Sequence, residues 1–341
     1  MMLVANPSDV SGAESRTPLA VLGVYHLLER VGAGGLGEVF RARDTVHGRT
    51  VAIKRVPAGV ATDATRARAL RATAEKLAAL SHPGVALLYE CGEEQGELFL
   101  VQEFTPGQTL AQLLGGRPLH PRRAVDIALE AAEALNALHA AGLVHGDLRP
   151  DNMMVTPKGH VKLLDAGLAR FTGGGALRAT ACARLGSLPL DSLGGVRYLA
   201  PEEALGEGAG AQSDLFSLGA ILYEMLAGSP AFERRSADET LLAVLQASPP
   251  RPAAAPAAIP EGLDTIVNRA LSKSLDRRYP TAARFADDLR AIKTAFDAEL
   301  VTTSAADISG VADARGRRWW LWAVLGSGLA GAGWWAASLV R

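Results

Sequence analysis

Near residue 105 the spacing of the apolar residues changes, and that change limits the fold more than any other feature of the chain. Upstream, the runs "VYHLLERV", "EVFRARD", "TVAIKRV" and "GVALLYECGEEQGELFLVQEF" are separated by glycine-containing turns such as His47-Gly48. Alternating apolar positions between turns describe a small antiparallel sheet. One helical stretch, residues 64–80, interrupts them with an arginine-rich outer face. Five strands and one helix are expected in this first unit. Beyond "TPGQT" the period becomes helical. "PRRAVDIALEAAEALNALHAAG" puts Val125, Ala128, Ala132, Leu135 and Leu138 on one face, with Pro121 in its first turn and Gly142 at its end. Further helices are expected near 214–227, 237–247, 262–273 and 281–297, with "SPPRPAAAPAAIP" as an extended loop among them. A β-rich unit followed by a mainly helical one makes an α+β fold.

The rest of the composition removes alternatives. With 35 Lys+Arg against 36 Asp+Glu, the net charge of -1 leaves no electrostatic footprint for nucleic acid. Cys91 and Cys182 stand far apart without a metal-ligand pattern, so neither a disulfide framework nor a zinc site is expected. Residues 1–22 have no basic-then-apolar signal pattern and are expected to form a disordered leader. The other end differs. From Trp319 to Val340 no residue is charged, and as a helix the run would span roughly 33 Å, enough to cross a bilayer. All five tryptophans lie here, near the two ends, where membrane interfaces would hold them. Arg315, Arg317 and Arg318 precede the run and predict a single-pass protein with its large N-terminal part in the cytoplasm. Small residues at Gly326, Gly328, Ala330 and Ala332 would let two such helices approach, a route to a homodimer.

Three clusters carry chemistry. Val31, Gly32, Ala33, Gly34, Gly35, Leu36, Gly37, Glu38 and Val39 form a G-x-G-x-x-G loop with a strand on each side. A dinucleotide fold would need a helix directly after such glycines, so the strand context instead points to a flap over nucleotide phosphates. Lys54 closes the alternation of "VAIK", which projects its ammonium toward the inner face of the sheet, where the phosphates of ATP would supply an anion. In "LVHGDLRPDNMMV", Asp147 can accept a hydroxyl proton. Asn152, together with Asp165 of "KLLDAGLAR", offers hard oxygen donors to Mg²⁺.

In this order, "GAGGLGEV", "VAIK", "HGDLRPDN", "DAG", "YLAPEEA", "SDLFSLGAILYEML" and "RRYPTAARFADDL" make the chain resemble the bacterial eukaryotic-type (Hanks-type) Ser/Thr protein kinases over residues 23–296. The resemblance implies a bilobal protein-kinase-like fold, with an N-lobe at 23–104 and a C-lobe at 105–297, to which the sequence itself adds a juxtamembrane linker at 298–318 and a transmembrane helix at 319–340. It implies Mg-ATP as cofactor, Ser/Thr hydroxyls of proteins as acceptors, and autophosphorylation. Residue by residue, Asp147 matches the catalytic base, Asn152 and Asp165 the magnesium ligands, and Lys54 the phosphate-binding lysine. Arg149 stands where a lysine meets the transferring phosphate. Adenine would lie against Val39 and Ala52, bonded to main chain between Glu103 and Thr105, after the gatekeeper Gln102. Glu202 and Arg278 match a buttressing pair, and Asp214 matches the carboxylate that braces the catalytic loop.

Several positions depart from the family pattern. Gly146 replaces an arginine that pairs with a phosphorylated activation loop, Ala166 replaces a phenylalanine, and Gly195 replaces a threonine that accompanies Ser/Thr substrates. Thr73 falls where a helix glutamate pairs with the lysine, while Glu75 lies two positions on, about 200° around a helix. Either the helix shifts register or that ion pair is absent. These departures motivate the alternative of a pseudokinase, a nucleotide-responsive signalling or scaffold module.

Overall fold

The computed structural model describes residues 18–34, 37–171, 193–252 and 259–298. The chain divides into two compact units, Met1–Arg290 and Ala291–Arg341. The whole of the architecture below belongs to the first, apart from a helical stretch in the second at residues 291–298.

The first lobe is a six-stranded antiparallel sheet of β1 (Ala20–Leu22), β2 (Tyr25–Gly34), β3 (Gly37–Asp44), β4 (Arg49–Arg55), β5 (Leu88–Glu94) and β6 (Glu97–Glu103), in the order β1-β2-β3-β4-β6-β5. Its register sorts the side chains by face. Phe40, Ile53 and Val101 stand opposite one another and join Tyr25, Leu27, Ala42, Val51 and Phe99 in a buried cluster. One residue along, Val39 pairs with Lys54, and Ala52 pairs with Gln102, so these four share the other face. Period-2 alternation thereby separates the residues that hold the lobe together from those on the face that carries Lys54.

Two helices, α1 (Ala58–Ala61) and α2 (Ala64–Ala78), follow β4. Asp63 caps α2 by accepting from the main-chain N–H of Thr65 and Arg66 at 2.9 and 3.1 Å. The helix buries Ala67, Leu70, Thr73, Ala74 and Leu77 at spacings of three to four residues, which leaves its arginines outward.

The second lobe is mainly helical: α3 (Leu110–Leu114), α4 (Pro121–Ala140), α5 (Leu193–Val196), α6 (Pro201–Ala204), α7 (Ala211–Ala227), α8 (Ala237–Gln246), α9 (Glu261–Ala270) and α10 over residues 282–290. Its core helix is α7, buried from Ser213 to Tyr223 without a break and packed against α4 and α9. A three-stranded sheet of β7 (Gln108–Thr109), β8 (Met153–Val155) and β9 (Val161–Leu163) lies toward the first lobe, because Leu163 exchanges main-chain bonds with Gly84 (2.8 Å) and Ala86 (2.9 Å). This is the bilobal kinase fold.

Three expectations need correction or placing. The expected leader 1–22 contains β1, with Ala20 opposite Leu27 and the N–H of Leu19 bonded to the Leu27 carbonyl at 2.7 Å, so the sheet has six strands. Leu19, just before this edge strand, and Val21 within it remain exposed, which is why no buried alternation announced it. The turn of helix at α1 was also not foreseen. The linker 298–318, apart from residue 298, and the span 319–340 lie outside the described residues. Among the described residues no helix is long and apolar enough to cross a membrane.

Candidate active site

The glycine loop is a tight hairpin between β2 and β3, with Gly32 opposite Val39, Ala33 opposite Glu38 and Gly34 opposite Gly37. Val31 lies in β2 just before it; Gly35 and Leu36 lie outside the described residues. Gly37 adopts φ +106° and brings its main chain against the carbonyl of Arg55, a contact that any Cβ would obstruct. Arg30 and Glu38 clasp the hairpin across its base at 3.0 Å. Strand–turn–strand, with no helix after the glycines, is the geometry of a flap and excludes the dinucleotide arrangement.

On the sheet face shared with Val39 and Ala52, Lys54 is 5% exposed and its Nζ donates to Asp165 Oδ1. Asp165 takes φ +60°, unusual for a residue with a side chain, and the turn after it is held by the N–H of Gly167 bonded to the His145 carbonyl at 3.2 Å. Thr73 points inward from α2. It is 2% exposed, returns its hydroxyl to the Ala69 carbonyl at 2.9 Å, and packs its methyl toward Gly167. Glu75 is exposed. The helix has therefore kept its register, and the ion pair between lysine and a helix carboxylate is absent; Lys54 uses Asp165 instead.

Asp147 and Asn152 meet directly. Asn152 Nδ2 donates to the Asp147 carbonyl at 2.8 Å and to its Oδ2 at 3.1 Å. Both bonds come from the amide nitrogen, which leaves the amide oxygen as the Asn152 atom suited to a hard cation. Asn152 is tied in turn to the strand that delivers Asp165, for its carbonyl accepts from Leu164 N at 2.9 Å and Met153 pairs with Leu163. Arg149 lies between two carboxylates, 4.0 Å from Asp147 Oδ2 and 3.7 Å from Asp151 Oδ2. A carboxylate, an amide oxygen and an ammonium on one side of the cleft form a donor set that fits Mg²⁺ and phosphate oxygens.

The loop carrying Asp147 is braced from below. Asp214, 1% exposed in α7, accepts from the main-chain N–H of His145 and of Gly146, each at 2.8 Å, and lies 2.8 Å from His139 Nε2. Gly146 has φ +73°, and a Cβ there would lie 3.3 Å from that of Ala169, so the glycine suits both the backbone and the space. A second brace joins Glu202 to Arg278, which is 1% exposed and donates through Nη1 and Nη2 at 2.7 and 3.0 Å. Burial would raise the Glu202 carboxyl, but bonds from Arg278 and Ser213 hold it below the ordinary carboxylate range.

At the back of the cleft, Gln102 and Thr105 are buried, and Ala52 and Val39 line the sheet face that carries Lys54. Two contributors were not singled out from sequence. His139 signals itself only by falling a few residues before "HGD", and Lys162 only as a charge inside an apolar strand.

The protein kinase domain family matches residues 25–287. The chain is 34% identical over 311 residues to the serine/threonine-protein kinase PknB of Mycobacterium tuberculosis, covering 86% of this chain and 49% of that protein. It is 34% identical over 281 residues to the serine/threonine-protein kinase PrkC of Bacillus subtilis, covering 82% and 41%. The chain thus spans about half the length of the curated relatives it matches. With two lobes, a flap, a buried lysine and a braced Asp–Asn loop in the family's order, the chain belongs to the protein kinase family, among the bacterial Hanks-type Ser/Thr kinases.

Proposed function

We propose that this protein transfers the γ-phosphate of Mg-ATP to Ser or Thr hydroxyls of proteins, itself included, as a membrane-tethered kinase with its catalytic lobes in the cytoplasm. One observation carries the reading: the Lys54–Asp165 pair and the Asp147–Asn152 pair are joined through the bond from Leu164 to Asn152. Mg-ATP supplies the phosphoryl group and the cations that neutralise its oxygens. Lys54 would hold phosphate oxygens of the nucleotide, while Asp165 and the amide oxygen of Asn152 would hold the Mg²⁺. Asp147, oriented by Asn152, accepts the proton of the incoming hydroxyl, a role worth roughly 10²- to 10⁴-fold. Arg149 offers a fixed charge to the transferring group, with a planar fork where an ammonium would be a point charge.

The tether rests on the uncharged run Trp319–Val340, its terminal tryptophans and the arginines before it. The domain limits follow the sequence except that β1 extends the first lobe: lobes at 20–104 and 105–297, linker at 298–318, span at 319–340. A homodimer through the small residues of the span belongs to the same proposal. Full-length protein in detergent, given labelled Mg-ATP and a generic protein acceptor, is expected to yield phosphoserine or phosphothreonine on acid hydrolysis. Label on tyrosine alone, or on no residue, would refute the acceptor class. The full chain is also expected to stay with the membrane pellet after an alkaline wash, and a chain ending at residue 318 to leave it.

A further inference from the structure

Glu103 has a main chain expected to meet adenine, yet its side chain works elsewhere. Its N–H bonds to the Leu87 carbonyl at 2.8 Å, and its Oε2 accepts both from Leu87 N at 3.2 Å and from Lys162 Nζ at 2.7 Å. The pair is mostly buried, with the two side chains 24% and 18% exposed. Lys162 occupies the middle of β9, between Val161 and Leu163, which are 2% and 0% exposed. A lysine in so short and apolar a strand is desolvated unless a partner meets it, and the partner comes from the end of β6.

What lies along β9 gives this tie a consequence. Lys162 pairs with Met154 of β8, next to the Met153–Leu163 pair, and the chain then passes through Leu164, bonded to Asn152, to Asp165. The Glu103 carboxylate thus connects the segment that would read the base to the strand that supplies one metal ligand and is bonded to the other.

We propose that Glu103 and Lys162 are positioning residues that fix the base end of the cleft to its phosphate and metal end, so that one ligand engages both at once. The inference rests on the Mg-ATP reading of the cleft. It makes a distinction that a merely structural ion pair would not: a ligand that spans both ends depends on the tie, and a ligand that fills only the base end does not.

Calorimetric binding of Mg-ADP and of adenosine to the full-length protein tests this. For Lys162→Met and for Glu103→Gln, which keeps an acceptor for Leu87 N, Mg-ADP affinity is expected to fall about 5- to 20-fold with adenosine affinity unchanged. Lys162→Arg, which keeps the charge, is expected to recover most of the loss. Equal loss for both ligands, or no loss for Mg-ADP in folded variants, overturns the proposal. A parent protein that binds adenosine but not Mg-ADP would instead refute the Mg-ATP reading on which it rests.

Discussion

Among single residues, the departures from the family pattern at Gly146 and Thr73 fall where the backbone or its neighbours accommodate them. Gly146 sits in the left-handed region with its N–H on Asp214, so Gly146→Ala is expected to cost about 1–2 kcal/mol of stability by urea unfolding. The same glycine removes the arginine that would answer a loop phosphate. Phosphatase treatment, or alanine at Thr172 and Thr180, is therefore expected to leave transfer intact; abolition would contradict this. Asp214→Ala strands two main-chain donors and a histidine, which should cost at least about 3 kcal/mol and disorder the Asp147 loop. Asp147, Asn152, Asp165 and Lys54 were legible in the sequence because each stands in a short spaced motif. The Asp147–Asn152 contact, by contrast, needed the fold, since a spacing of five does not say which amide atom turns inward.

Lys273 lies with its Nζ 3.9 Å from the Phe232 ring and 5.0 Å from that of Phe216, and burial, with Arg278 nearby, lowers its ammonium to about 8 from an ordinary 10.5. A folded value below the unfolded one means that the unfolded chain binds the extra proton between the two, so stability rises with pH across that interval. From about pH 9 the thiol of Cys91, and higher still the hydroxyls of Tyr25, Tyr198 and Tyr279, act in the opposite sense, because burial raises them. Melting temperature is thus expected to increase from pH 8 to 9, and Lys273→Met to flatten that increase. A decrease over the same interval in the parent would count against the assignment.

At the scale of elements, α2 decides how the lysine is held. Its cap at Asp63 and its buried stripe fix a register in which Thr73 faces the Asp165–Gly167 turn and Glu75 faces water. The sequence puts Thr73 at the position of a lysine-pairing glutamate, but it does not say whether the helix slips, because slippage depends on the whole stripe from Ala67 to Leu77. Glu75→Ala is accordingly expected to leave the transfer rate unchanged; a tenfold loss would mean that the helix slides inward during turnover. Asp63→Ala should cost about 1 kcal/mol through the lost cap, read as a lower melting temperature. The strand β1 was hidden for a related reason: an edge strand with exposed Val21, preceded by exposed Leu19, has the composition of a leader.

At the scale of the molecule, the change of hydrophobic period near residue 105 gave the two lobes, and the motif order gave the sides of the cleft. The joint between lobes was not legible. Besides the Lys54–Asp165 pair, it is made of main-chain bonds from Gly84 and Ala86 to Leu163 and of the Glu103–Lys162 pair, which have no sequence signature beyond polarity in an apolar run. We infer that this joint assembles a phosphoryl-transfer site around Asp147. Its most direct measurement compares the initial rate of γ-phosphate transfer by the parent and by Asp147→Asn, with Mg-ADP affinity measured on both. The account predicts at least about a 10²-fold loss of rate with binding retained. Equal transfer by the two proteins, or none by the parent despite firm Mg-ADP binding, would contradict it.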